Sequence, residues 1–142
     1  MEHAGRRPYA LRAGEGWTYR YGIDFTVKAG ELGPGRVAVL EYATRAGEEP
    51  PEHTHGTEDE LFYVLRGAVS FRCGDHTFEV DDGGFVFLPR GIRHGYTVRG
   101  DGDVRLLVVT APAQDDAGGG WGGFVADLEA AGEPRATPPG PG

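Results

Sequence analysis

The chain has 142 residues, with 14 Lys and Arg against 22 Asp and Glu and a formal net charge of −8. Its only lysine is Lys28 and its only basic pair Arg6-Arg7, with Arg90, Arg93 and Arg99 scattered, which excludes the electrostatic footprint of a nucleic-acid binder. No run reaches the ~18 apolar residues of a membrane span, and no apolar stretch follows the first residues as a secretory signal requires. Cys73 is the single cysteine, so no internal disulfide forms, and a reducing, cytoplasmic setting is expected.

In chain order, residues 1–18 read as an N-terminal arm and residues 19–27 as a β-rich alternating strand, before Gly33-Pro34-Gly35 turns the chain. A longer strand over 36–44 leads into a polar segment. Strands at 61–66, 68–73 and 77–80 follow, joined by Gly67 and Gly74-Asp75. Asp81-Asp82-Gly83-Gly84 turns again before strands at 85–88, 94–98 and 104–110. Short strands at this spacing, with 25 Gly and 10 Pro and no helical repeat between them, predict an all-β sandwich or barrel. No internal duplication is visible, so residues 19–112 make one barrel. Residues 113–133 read as a linker and a short helix over 124–132, whose Trp121 and Phe124 are expected to bury against the barrel. Residues 134–142, rich in Pro and Gly, read as a disordered tail.

The chemistry lies in two segments. In an extended chain residues two apart face one side, so His53 and His55 aim at one point. Glu58, Asp59 and Glu60 all offer a carboxylate beside them. Parity favours Glu60, which shares a face with the apolar Phe62 and Val64, and leaves Glu58 and Asp59 on a solvated lip. His94 arrives from the second segment, behind Pro89 and Gly91. Imidazoles plus a carboxylate suit one divalent transition metal such as iron, manganese, nickel, zinc or copper, and leave about two positions of an octahedron open. His3 and His76 read as surface histidines, and Cys73 as a small half-buried residue. Arg90 and Arg93 attract an anion, stand as solvated loop residues, or pair with Asp81, Asp82 or Glu58.

These segments resemble the two motifs of the cupin superfamily. Gly47, His53, His55, Glu60 and Gly67 fit the first, Gly-x5-His-x-His-x4-Glu-x6-Gly; Gly83, Pro89, Gly91 and His94 fit the second, Gly-x5-Pro-x-Gly-x2-His. The second motif continues to an asparagine, where this chain has Val98. The resemblance implies a small antiparallel β-barrel, or jelly roll, with a short C-terminal helix, a metal inside held by His53, His55, Glu60 and His94, and a homodimer. Parity places Tyr96 and Val98, with Phe62 and Val64, around the cavity beyond the metal, an apolar lining with one phenol that suits a small aromatic or hydrophobic substrate. Resemblance to quercetinase-like members implies a dioxygenase acting on a phenolic or enolisable compound, with Glu60 as base. The alternatives are a cyclase, isomerase or decarboxylase that uses the metal as a Lewis acid, and a small-molecule-binding protein without turnover.

Overall fold

Strands form where β-branched and aromatic residues alternate with polar ones, and tight turns at glycine separate them. Residues 8–30, 37–56 and 58–111 are described by a computed structural model. Among these residues the strands are β1 (Trp17–Tyr21), β2 (Ile23–Gly30), β3 (Ala38–Thr44), β4 (Asp59–Arg66), β5 (Ala68–Cys73), β6 (His76–Val80), β7 (Phe85–Leu88), β8 (His94–Arg99) and β9 (Val104–Ala111). The expected strand over 19–27 is in fact two. Gly22, at φ 75°, turns the chain between β1 and β2 so that Tyr21 faces Ile23 and Arg20 faces Asp24. Trp17 and Thr18, assigned to the arm from sequence, open β1. The C-terminal helix and tail lie outside the described residues.

All the strand pairs are antiparallel. One sheet has the order β1-β2-β3-β9-β4-β7 and the other β6-β5-β8, which is the two-sheet jelly roll expected from sequence. The inner faces share one core. Leu40 and Tyr42 on β3, Phe62 and Val64 on β4, Leu106 and Val108 on β9, and Val69 and Phe71 on β5 are all buried within it. Burial alternates strictly along β3 and β9, the pattern of strands with one wet face. On that wet face Tyr63, Leu65, Phe85 and Phe87 stand exposed.

The chain changes sheet between β4 and β5. A register shift between Val64 and Arg66 bends β4, and Gly67 makes the corner. Only glycine fits there: its φ is 104°, and a Cβ would lie 2.4 Å from Cγ1 of Val104. The Gly67 N–H donates to Asp82 Oδ1 at 2.6 Å, which ties the corner to the β6–β7 turn. Gly67→Ala is therefore expected to cost about 2–4 kcal/mol of stability, from overpacking plus an unfavourable φ. Gly102→Ala, where a Cβ meets nothing within 4 Å, should stay within about 0.5 kcal/mol of the parent. Urea denaturation of the two variants checks this, and equal losses would contradict the reading of the corner.

Candidate metal centre

Backbone hydrogen bonds bring the two histidine segments together. His53 N–H donates to the His94 carbonyl at 3.0 Å and His94 N–H to the His53 carbonyl at 2.8 Å, an isolated antiparallel bridge between the β3–β4 loop and the start of β8. Gly91, at φ 82°, adds a hydrogen bond from its N–H to the His55 carbonyl at 2.7 Å. Asp59 then clamps the loop that precedes His94. Its Oδ1 accepts from the Arg90 backbone N–H at 2.9 Å, and its Oδ2 from the Arg90 guanidinium at 3.0 Å. This pairing holds the Asp59 carboxyl below its ordinary range.

Four donor groups meet at this junction. One ligand atom from each of His53, His55, Glu60 and His94 lies within 4.8 Å of the other three. Bonds of about 2.0–2.2 Å to a central ion separate its ligands by roughly 3–4.4 Å, so the cluster needs only small side-chain adjustments to close on a metal. Glu60 stands at its centre. Its Oε2 is 2.8 Å from Nε2 of His94 and 3.1 Å from Nε2 of His55. Across the sheet Glu60 is flanked by Leu88 on β7 and Thr110 on β9, and it is 1% exposed. Burial by itself raises the Glu60 carboxyl, but hydrogen bonds from His55 and His94, with their charge, outweigh it and bring it down to about 2. Parity thus predicts its inward orientation, and the carboxylate is ionised at neutral pH.

The outer nitrogens are held as well. His53 Nδ1 is 2.8 Å from the Pro51 carbonyl, the partner that fixes an Nδ1–H tautomer and turns Nε2 to the cluster. Glu58 corrects the sequence reading. It is 1% exposed, not solvated, and its Oε1 lies 3.1 Å from Nδ1 of His55. It has the parity of Glu60, and the alternation of β4 continues back through half-buried Asp59 to bury it as well. The arginines are committed elsewhere than expected: Arg90 to Asp59, and Arg93 to Glu52 at 3.8 Å. His76 is exposed, as read from sequence; Cys73 is more deeply buried than expected and pairs in register with His94.

Beneath the cluster lies an aromatic layer. Phe62 and Tyr96 are each two residues inward of a cluster member, roughly 6.6 Å along their strands, whereas Val64 and Val98 are roughly 13 Å away. All four are buried in the core. The rings of Phe62 and Phe71 are 5.2 Å apart, and Tyr96 lies 5.8 Å from each. The sequence reading missed Tyr42. It stands opposite Leu106, at the level of Val64, and its hydroxyl reaches 2.9 Å from that of Tyr96. Burial pushes the Tyr42 phenol well up, and burial with the nearby Glu49 and Glu60 charges pushes Tyr96 up to about 12 despite the Tyr42 hydrogen bond. Both phenols are protonated donors at neutral pH. At Val98 the backbone N–H donates to Glu49 Oε2 at 2.9 Å, a contact made by the main chain in a place where the family motif has asparagine.

Deleting one donor from so tight a cluster should empty it. We expect one ion per chain in the parent protein and severe loss in His55→Ala and in His94→Ala, measured by elemental analysis of untagged protein. Release should follow acidification, because protonated imidazoles do not ligate, so retention falls as pH drops and full retention near ~4 would contradict the donor set.

Comparison with known proteins agrees with this geometry. The family described as cupin domain matches residues 40–110. SCO3923 of Streptomyces coelicolor is 32% identical over 73 residues, 51% of this chain and 68% of that protein. SchB of Streptomyces halstedii is 31% identical over 68 residues, 48% of this chain, which spans only 49% of SchB. Among solved structures Pac13 of Streptomyces, described as a nucleoside dehydratase, superposes with a TM-score of 0.57 at 20% identity, over 75% of this chain and 83% of that one; such a likeness concerns the fold. With nine motif positions, the two-sheet jelly roll and the family match in agreement, the chain belongs to the cupin family.

Proposed function

We propose that this cupin is a metal-dependent enzyme that takes a small phenolic or enolisable compound into the barrel and oxidises it with dioxygen. The observation that carries the proposal is the stacking of a three-histidine, one-carboxylate cluster on a buried aromatic layer with two protonated phenols. A divalent ion held by His53, His55, Glu60 and His94 would supply Lewis acidity toward a substrate oxygen and leave positions open beside it. Glu60 is the base: ionised and buried, it accepts the proton of a hydroxyl or of an enolisable carbon. Within the Tyr42–Tyr96 pair one hydroxyl donates to the other, the remaining O–H donates to a second oxygen of the substrate, and Phe62 and Phe71 pack on its ring and exclude water. Val64 and Val98, at the deeper level, set how far a substrate can enter.

One observation favours a non-oxidative reading, as a cyclase, isomerase or dehydratase-like enzyme. A carboxylate base close to a hydrogen-bonded pair of phenols is an acid–base set that needs no oxidant. The nucleoside dehydratase activity ascribed to Pac13 is of this kind. A binding protein without turnover is the remaining alternative.

Oxygen consumption separates these readings. The iron-, nickel- and manganese-loaded forms are to be assayed with flavonols, catechols and 1,3-diketones. The oxygenase reading expects uptake with at least one pair. Glu60→Gln should then lower kcat by about 10²–10⁴-fold while substrate affinity changes little, in samples matched for metal content. Product without oxygen uptake transfers the assignment to the acid–base reading, and binding with neither transfers it to a binding protein.

A further inference from the structure

The cluster has a fifth member that the family motif does not name. Glu58 lies within the four-residue gap between His55 and Glu60, before β4 begins at Asp59. Its side chain is 0% exposed, and its Oε1 faces Nδ1 of His55 at 3.1 Å, on the side of the ring opposite Nε2, which is 3.1 Å from Glu60 Oε2. A buried carboxylate is costly unless it is paired. The clamp to Arg90 is carried by the neighbouring Asp59. The geometry points to Glu58 as the positioning residue of the metal centre. The 3.1 Å contact is short of hydrogen-bond alignment, and a small rotation lets Glu58 accept the Nδ1–H of His55, which fixes the ring orientation and reserves Nε2 as the ligand atom.

The consequences reach beyond one bond. His53 Nδ1 has a neutral carbonyl as its partner, that of Pro51, so the two histidines of the His-x-His pair are held by different chemistry. A carboxylate holds the His55 ring, where a carbonyl holds that of His53. The inference rests on the metal-centre reading and is independent of which reaction follows.

Zinc(II) alone is a suitable probe, because it is diamagnetic and accepts imidazole and carboxylate donors. Long-range ¹H–¹⁵N spectra of the zinc-loaded full chain report which His55 nitrogen carries the proton; we expect Nδ1–H with Nε2 on the metal. Competition against a chromophoric chelator should show Glu58→Ala binding zinc about 10–100-fold more weakly than the parent. Glu58→Gln keeps an acceptor oxygen and should restore most of that affinity, together with the Nδ1–H signal. Coordination through Nδ1 of His55, or undiminished zinc affinity in folded Glu58→Ala, overturns the role of Glu58 and leaves the metal centre standing. If Glu58→Ala does not fold, the parent spectrum alone decides. Failure of the parent to bind zinc overturns the metal centre and this assignment with it.

Discussion

The pair of backbone hydrogen bonds between His53 and His94 is the constraint on which the site depends. These residues come from segments that belong to different parts of the jelly roll, one entering the six-stranded sheet and the other opening a strand of the three-stranded sheet. A loop of this length has many conformations, and a side-chain cluster alone would have to offset the entropy of ordering it. The bridge shares that cost with the main chain. Gly91 N–H on the His55 carbonyl and Asp59 on Arg90 add two further ties, so the loops holding three of the four donors are positioned before any ion arrives. Preorganisation of this kind lets binding energy appear as affinity instead of being consumed in folding a loop.

The fold serves this junction by placing apolar mass below it and solvent above. Glu60 is the inward residue at the very start of β4, between Leu88 and Thr110, and the next inward position on that strand is already Phe62. The carboxylate therefore sits at the boundary between polar rim and hydrocarbon core. At that depth its charge is expensive without His55 and His94, and strongly held with them. The same depth explains the phenols. Tyr42 and Tyr96 satisfy one another while buried, so the layer is polar at one point only, and that point lies on the metal side of the core.

Much of this was legible in the sequence, because the strand period is two. Parity alone separated Glu60 from Asp59 and put Phe62, Tyr96, Val64 and Val98 in the interior, and the glycine-marked turns gave nearly every strand. The reading failed at the ends and breaks of strands. Glu58 has the parity of Glu60 and is buried like it, but it stands before the apolar run that marks β4, next to two further acidic residues, and so was read as solvated. Gly22 interrupts a stretch that alternates on both sides, and the hairpin there passed as one strand. Tyr42 shares an apolar face with Leu40, which marks it as inward, but nothing in the sequence says that it meets Tyr96, 54 residues away. Ion-pair partners were equally hidden: Arg90 has several acidic residues within reach in sequence, and the register of β4 against β7 selects Asp59.

Several donors, two sheets and a buried carboxylate converge on a single point, and the central claim is that this point is a metal site. Crystals grown with manganese(II), with diffraction collected where manganese scatters anomalously, locate the ion without assuming any activity. The account predicts one strong anomalous peak per chain, within bonding distance of His53, His55, Glu60 and His94. Manganese elsewhere on the surface, or a cluster in which His94 Nε2 stays hydrogen-bonded to Glu60 in the presence of the ion, would contradict it.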